Sequence, residues 1–209
     1  MRRIVVITLL LTLLSPSNTQ AAPIDALAAL NNLEVKGRAP KTGYARSQFP
    51  HWSDPDRNGC DARNDTLKRD LTQISFKSGT RDCKVLTGQL LDPFSGKVIT
   101  FSSTKSNIDI DHVVALSNAW QTGAAYFDKT KRAAIANDPL NLIAVDAKLN
   151  RQKSDGDAAT WLPPLKNYRC DYVARQVAVK AKYGLWVTQP EKSAIINLLE
   201  MCEGQKLPN

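Results

Sequence analysis

The sequence predicts an α+β fold, and three observations carry that expectation. Val85–Leu91 and 97–101 are rich in β-formers and flank the turn Asp92-Pro93-Phe94-Ser95-Gly96, which makes a hairpin. Residues 167–183 have helical character and meet a stop at Gly184, and Thr188-Gln189-Pro190-Glu191 then has the form of a capping box that opens a second helix. Four cysteines, Cys60, Cys83, Cys170 and Cys202, lie behind an N-terminal leader, so two disulfides are expected, with three connectivities open.

In chain order, Met1-Arg2-Arg3 precedes an apolar run over 4–14 and the small-residue stretch Thr19-Gln20-Ala21-Ala22. This is the layout of a secretory signal peptide, with the cut expected after Ala21. The run is shorter than the ~20 residues a membrane span needs. Of 28 basic residues, Arg2 and Arg3 leave with residues 1–21; the 26 that remain face 20 acidic ones, for a net charge of +6. A secreted chain of that charge, with the periplasm as the alternative compartment, has an electrostatic preference for polyanions such as nucleic acid. No later segment is apolar enough to span a membrane. A monomer of one domain over 44–209 is expected, with an arm over 22–43.

Residues 25–33 suggest a short helix, followed by a loose Lys/Gly/Pro-rich arm. His51, beside Trp52, is either a second catalytic group or a partly buried structural histidine, the latter favoured. Asp54-Pro55-Asp56-Arg57-Asn58-Gly59-Cys60-Asp61 with Asp65 imitates an EF-hand loop. Asp65 stands where the bidentate Glu should be, and no amphipathic helix precedes the loop. A disulfide-pinned turn into a helix over 64–74 is the competing reading.

The richest stretch for chemistry is 110–154. It opens with Ile110-Asp111-His112-Val113-Val114-Ala115-Leu116 and closes with Asn141-Leu142 and Lys148-Leu149-Asn150-Arg151-Gln152-Lys153. An imidazole titrates near neutral pH and suits a general base, and His51 and His112 are the two histidines of the chain. Asp111 and Asn150 offer oxygen ligands of the kind a hard Mg²⁺ or Mn²⁺ ion prefers. Asn150 and Lys153, three apart, share a helix face.

The two halves resemble an HNH (ββα-metal, His-Me finger) endonuclease: Asp111-His112-Val113-Val114-Ala115-Leu116 resembles its first strand, and 141–153 its strand-into-helix. The resemblance implies a ββα-metal core extended by the hairpin and surrounded by helices. It implies a metal-dependent hydrolase of DNA, with RNA left open, in which His112 activates water and Asn141 orients the loop that carries it. Asp111 and Asn150 would hold Mg²⁺, with Mn²⁺ as the alternative, and Lys153 would bind phosphate. The segments Asn58-Gly59-Cys60-Asp61-Ala62-Arg63-Asn64-Asp65 and Asp92-Pro93-Phe94-Ser95-Gly96-Lys97 are similar to those of secreted bacterial members. That similarity implies that Arg63 grips phosphate through its planar fork, against an ion pair to Asp61 or Asp65. The chain departs from many members in one respect: Asp146 and Leu149 stand where a zinc-binding Cys pair is common. Asp109, two residues from Asp111, shares its strand face and is an extra candidate carboxylate.

Between the halves, short helices are expected over 117–121 and 129–136. Their Trp120, Tyr126, Phe127, Lys129, Lys131 and Arg132 could stack bases, but a core-packed helix with a solvated basic face is favoured. Trp161-Leu162 is expected to pack on the core. We expect the pairings Cys60–Cys83 and Cys170–Cys202. The second follows from two antiparallel helices, which bring the start of one beside the end of the other. A largely non-specific secreted endonuclease is thus expected. The alternatives are a secreted non-catalytic DNA-binding or uptake protein and a nuclease toxin effector.

Overall fold

A computed structural model describes residues 23–105 and 107–208. The signal peptide expected over 1–21 lies outside the described residues. No described helix is long and apolar enough to cross a membrane.

Asp25 caps helix α1 (Ala26–Asn31) by accepting from the Ala28 amide. The segment after it is not the loose arm expected. Lys36 N donates to Val187 O, Ala39 N donates to Gln121 O, and Arg38 pairs with the buried Asp157 at 2.6 Å. Bonds to chain more than 80 residues away hold it as a strap.

Asp61 caps helix α2 (Ala62–Asp70). This helix stops four residues short of the expected end, and Thr72–Phe76 forms a strand, β1. The helix stops because Leu71 turns extended, and Asp70 Oδ2 takes the Ala144 amide at 2.8 Å. Gly88 of the next strand lies against Leu71, where a Cβ would come within 3.1 Å, so a larger residue there would have to push the Leu71 side chain aside. β1, β2 (Val85–Leu91) and β3 (Val98–Ser102) form one antiparallel sheet in sequence order. The expected hairpin is β2–β3.

A second sheet pairs β4 (Ile108–His112) with β5 (Leu142–Asp146), antiparallel, with His112 opposite Leu142 and Asp111 opposite Ile143. Between them lie α3 (Leu116–Gln121) and α4 (Lys129–Asn137). Trp120 is buried and Phe127 half-buried, with Arg132 over the Trp120 ring and Lys131 4.0 Å from the Phe127 ring centre. This is the core-packed arrangement with its basic face outward. Asp146 ends β5 and, through the Leu149 amide, caps α5 (Ala147–Lys153).

Helices α6 (Arg169–Tyr183) and α7 (Gln189–Leu199) close the fold. Gly184, at φ +67, ends α6 in the left-handed conformation, and Thr188 with Glu191 completes the capping box of α7. Both expected disulfides are present, Cys60–Cys83 and Cys170–Cys202. The fold is therefore mixed α+β with two disulfides. Trp161 lies in the aromatic cluster of Phe94, Tyr168 and Tyr172 under α6, as expected.

Candidate active site

The end of β4 and the start of the loop after it, helix α5 and the segment bearing Lys41, Tyr44 and Arg46 frame one cleft of about 410 Å³. Asp111, His112 and Asn150 line it, and so do Lys41, Arg46 and Asp155, which sequence reasoning did not single out. The loop after β4 is clamped from below by Asn141. Its buried side chain accepts from the Val114 amide at 2.8 Å and donates to Val114 O and Ile135 O. Its own carbonyl takes the Val113 amide at 2.8 Å. Asn141 therefore fixes the two residues after His112 to the start of β5.

His112 is 4% exposed. Its Nε2 lies 2.9 Å from Ala136 O. A carbonyl oxygen only accepts, so Nε2 bears the proton and Nδ1 is the basic nitrogen. The Trp52 ring stacks on the imidazole, 5.9 Å between centres. Burial pushes the His112 pKa down to about 3, with Arg46 and Lys153 adding repulsion to its cationic form. The ring is thus neutral near pH 7.

Protonating it should also weigh on stability. The unfolded imidazole takes a proton near pH 6.5 and the folded one only near 3. The unfolded state binds more protons in that window, so stability is present above pH 6.5 and is lost as pH falls toward 3. Between pH 7 and 4 the loss from this group is about 3 kcal/mol at 1.4 kcal/mol per unit. Urea unfolding at the two pH values should show it, and His112→Asn should flatten the difference.

Asp111 points the other way along β4. Its Oδ1 accepts from Lys153 Nζ at 2.9 Å, and the same ammonium donates to His112 O at 2.9 Å. Burial pushes the Asp111 carboxyl up, and Lys153 pulls it back toward ionisation. Its Oδ2 is buried with no hydrogen-bond partner. A buried carboxyl oxygen in that condition has room for a further donor or a cation. Asn150 donates from Nδ2 to Asp109 Oδ2 at 3.2 Å, which orients its amide. Among the described residues no three His, Cys, Asp or Glu side chains converge as a metal site. A cation here would rest on Asp111, the amide oxygen of Asn150 and water, a donor set that suits Mg²⁺ or Mn²⁺.

Arg46 reaches the cleft because Tyr44 and Phe49 pack their rings against Trp120 of α3. Among the described residues its guanidinium has no hydrogen-bond or ion-pair partner. Lys41 is paired to Asp155 at 2.8 Å and holds that carboxyl below its ordinary range. No sequence signal marked Arg46: it is one arginine on a strap about 65 residues before the histidine it faces.

Arg63 and Lys153 do not line the cleft. The Arg63 guanidinium lies over the Phe101 ring, with neither Asp61 nor Asp65 as its partner. Lys153 is buried beneath Asp111, its side chain wholly covered. Asp109 holds Asn150 and lies 4.0 Å from Arg151. His51 bonds the Phe49 carbonyl through Nδ1 and stands edge-on to Trp52. In the EF-hand-like loop, Asp54 accepts from the amides of Asn58 and Gly59, and Asp65 accepts from the Asn58 side chain. Those carboxylates serve the turn that leads to Cys60.

A family model for the C-terminal domain of GmrSD restriction endonucleases matches residues 61–198. An uncharacterized secreted protein of Arthroderma benhamiae is 38% identical over 190 residues, covering 90% of this chain and 89% of the relative. That relative is fungal, which lends no support to the bacterial affiliation expected from the sequence. No solved structure matches.

Proposed function

The chain belongs to the family of GmrSD restriction endonuclease C-terminal domains, and from that premise we propose that it is a secreted, metal-dependent endonuclease of the ββα-metal type. It hydrolyses DNA with little sequence preference, and RNA is the second substrate to try. Secretion is supported by the two disulfides and by the secreted relative. The observation that carries the reading is the pairing, in one cleft, of a neutral imidazole with a carboxylate whose second oxygen is unsatisfied.

In this reading His112 Nδ1 takes a proton from water, and the hydroxide attacks phosphorus in line with the departing 3′ oxygen. The departing 3′ oxygen takes a proton from solvent, so the products carry 5′-phosphate and 3′-hydroxyl ends. Asp111 and Asn150 would hold a Mg²⁺ or Mn²⁺ ion, which when bound would neutralise the charge that develops on the phosphate and leaving oxygens. Arg46, which has no ion-pair partner among the described residues, is a cleft cation available to grip the diester, a role a guanidinium fills with two parallel bonds. Asn141 keeps the imidazole in place through the Val113–Val114 backbone. Lys153 holds Asp111 against its helix rather than meeting substrate.

The test is plasmid digestion by the mature protein with Mg²⁺, Mn²⁺, Ca²⁺ or EDTA. Cutting with Mg²⁺ or Mn²⁺ that EDTA abolishes is expected. Undiminished cutting in EDTA removes the metal from the mechanism, and DNA binding without cutting in every metal favours the non-catalytic alternative.

A further inference from the structure

On the far side of α5 from the cleft lies a second groove, of about 450 Å³. Three segments build it: the β2–β3 turn with Ser95 and Lys97, helix α5 with Lys148 and Gln152, and the loop bearing Lys166. These segments are tied to one another. Asp92, fully buried in the turn, accepts from the Asp146 amide at 2.9 Å, and the Leu165 amide donates to Phe94 O at 2.9 Å. The lysines therefore spring from a fixed frame. All three are exposed, and among the described residues none has an ion-pair or hydrogen-bond partner for its ammonium. The one carboxylate lining the groove, Asp146, is turned to the Leu149 amide as the cap of α5.

We infer that this groove is a second contact for the nucleic-acid backbone, binding phosphates one helix width away from the diester that reacts. The inference rests on the endonuclease reading above and extends it from the reacting bond to the length of polymer engaged. The geometry carries it. Asn150 and Arg151 of α5 line the cleft, while Lys148, Leu149 and Gln152 of the same helix line the groove. A helix with its side chains is about 10–12 Å across. Phosphates two or more nucleotides apart on a polynucleotide can meet both sides at once, whereas a mononucleotide or small diester can reach only one. Three ammonium groups that lack a partner among the described residues, beside the Gln152 amide, suit phosphate oxygens, and they carry no base-reading constraint. The groove therefore contributes affinity and not sequence choice.

The experiment compares the mature protein with the triple variant Lys97→Ala/Lys148→Ala/Lys166→Ala and with the matching triple arginine variant. Binding of a fluorescein-labelled 30-base-pair duplex is read by anisotropy in EDTA over a salt series. Hydrolysis of bis(4-nitrophenyl) phosphate with Mn²⁺ is read separately. The alanine variant is expected to bind the duplex at least about 10-fold more weakly. The slope of log K against log salt should shrink by about one unit for each phosphate that the variant no longer neutralises. The arginine variant should bind like the unaltered protein, and all three should hydrolyse the small diester at the same rate. Unchanged affinity and salt slope in the alanine variant overturn the inference, and so does an unaltered protein that does not bind the duplex. Failure of all three on the small diester counts against the endonuclease reading alone, because the binding arm needs no catalysis.

Discussion

His112→Ala is expected to lower the metal-dependent cutting of DNA by about 10²–10⁴-fold, the contribution usual for a positioned general base. The size rests on position, since the cleft carboxylates are tied elsewhere, Asp111 to Lys153 and Asp155 to Lys41 and Ser117. Burial keeps the ring neutral, and the bond from Nε2 to Ala136 O reserves Nδ1 for the water. His51 is no substitute, because it does not line the cleft. The substitution also removes a buried ring stacked on Trp52, so some stability goes with it. Two readouts separate chemistry from folding. Duplex binding in EDTA should survive, since Arg46 and the exposed lysines are untouched. Added imidazole should enter the space left by the ring and restore part of the rate. Cutting at the unaltered rate would remove His112 from the role of base. A loss of rate that imidazole does not relieve, together with a loss of DNA binding, would point to collapse of the site instead.

The sequence made the local parts of this site legible, but less of what surrounds them. The turn at 92–96, the Gly184 stop and the Thr188–Glu191 box are decided within a few residues, and the structure has them where the spacing puts them. The Cys170–Cys202 pairing needed only that two consecutive helices be antiparallel. Strand β1 was hidden because Thr72–Phe76 continues a helix-compatible run; what ends the helix is the Asp70 carboxylate on the Ala144 amide, 74 residues on. Arg46 was hidden for the same reason, since its place depends on Tyr44 and Phe49 packing on Trp120. Lys153 shows the limit of helical spacing as a guide. Three residues after Asn150, it does turn toward the same strand, but its ammonium ends up under Asp111, where a buried carboxylate outcompetes solvent for it.

Lys180→Met is expected to cost about 3–5 kcal/mol, the range for stripping one partner from a buried ion pair. That is a large share of the roughly 5–15 kcal/mol that holds a domain together. Lys180 of α6 lies 2.7 Å from Glu191 of α7, both side chains about 99% or more buried, and its ammonium also donates to Trp186 O. Burial pushes the Lys180 ammonium down and the Glu191 carboxyl up, so each stays charged only on account of the other. Removing Lys180 leaves a carboxylate with no cation in a closed space. Lys180→Met/Glu191→Met should therefore lose less than Lys180→Met alone. Its residual deficit, about 1 kcal/mol, is that of the capping bond Glu191 accepts from the Thr188 amide. The single variant should also recover as pH falls. Its Glu191 would have a folded pKa above the unfolded one, so the folded state gains a proton first and the deficit shrinks toward acid. Urea unfolding of the three proteins at pH 7 and pH 5 measures all of this, and a double variant as unstable as the sum of the singles would refute the coupling. The effect should reach the cleft, because α6 is what the site leans on. Gln176 donates to Val113 O, Arg175 to the carbonyls of Pro139, Leu140 and Leu142, and Tyr183 to Asp138. Those bonds hold both chain segments that Asn141 joins, so loosening α6 against α7 should lower the rate of cutting at temperatures where the chain is still largely folded.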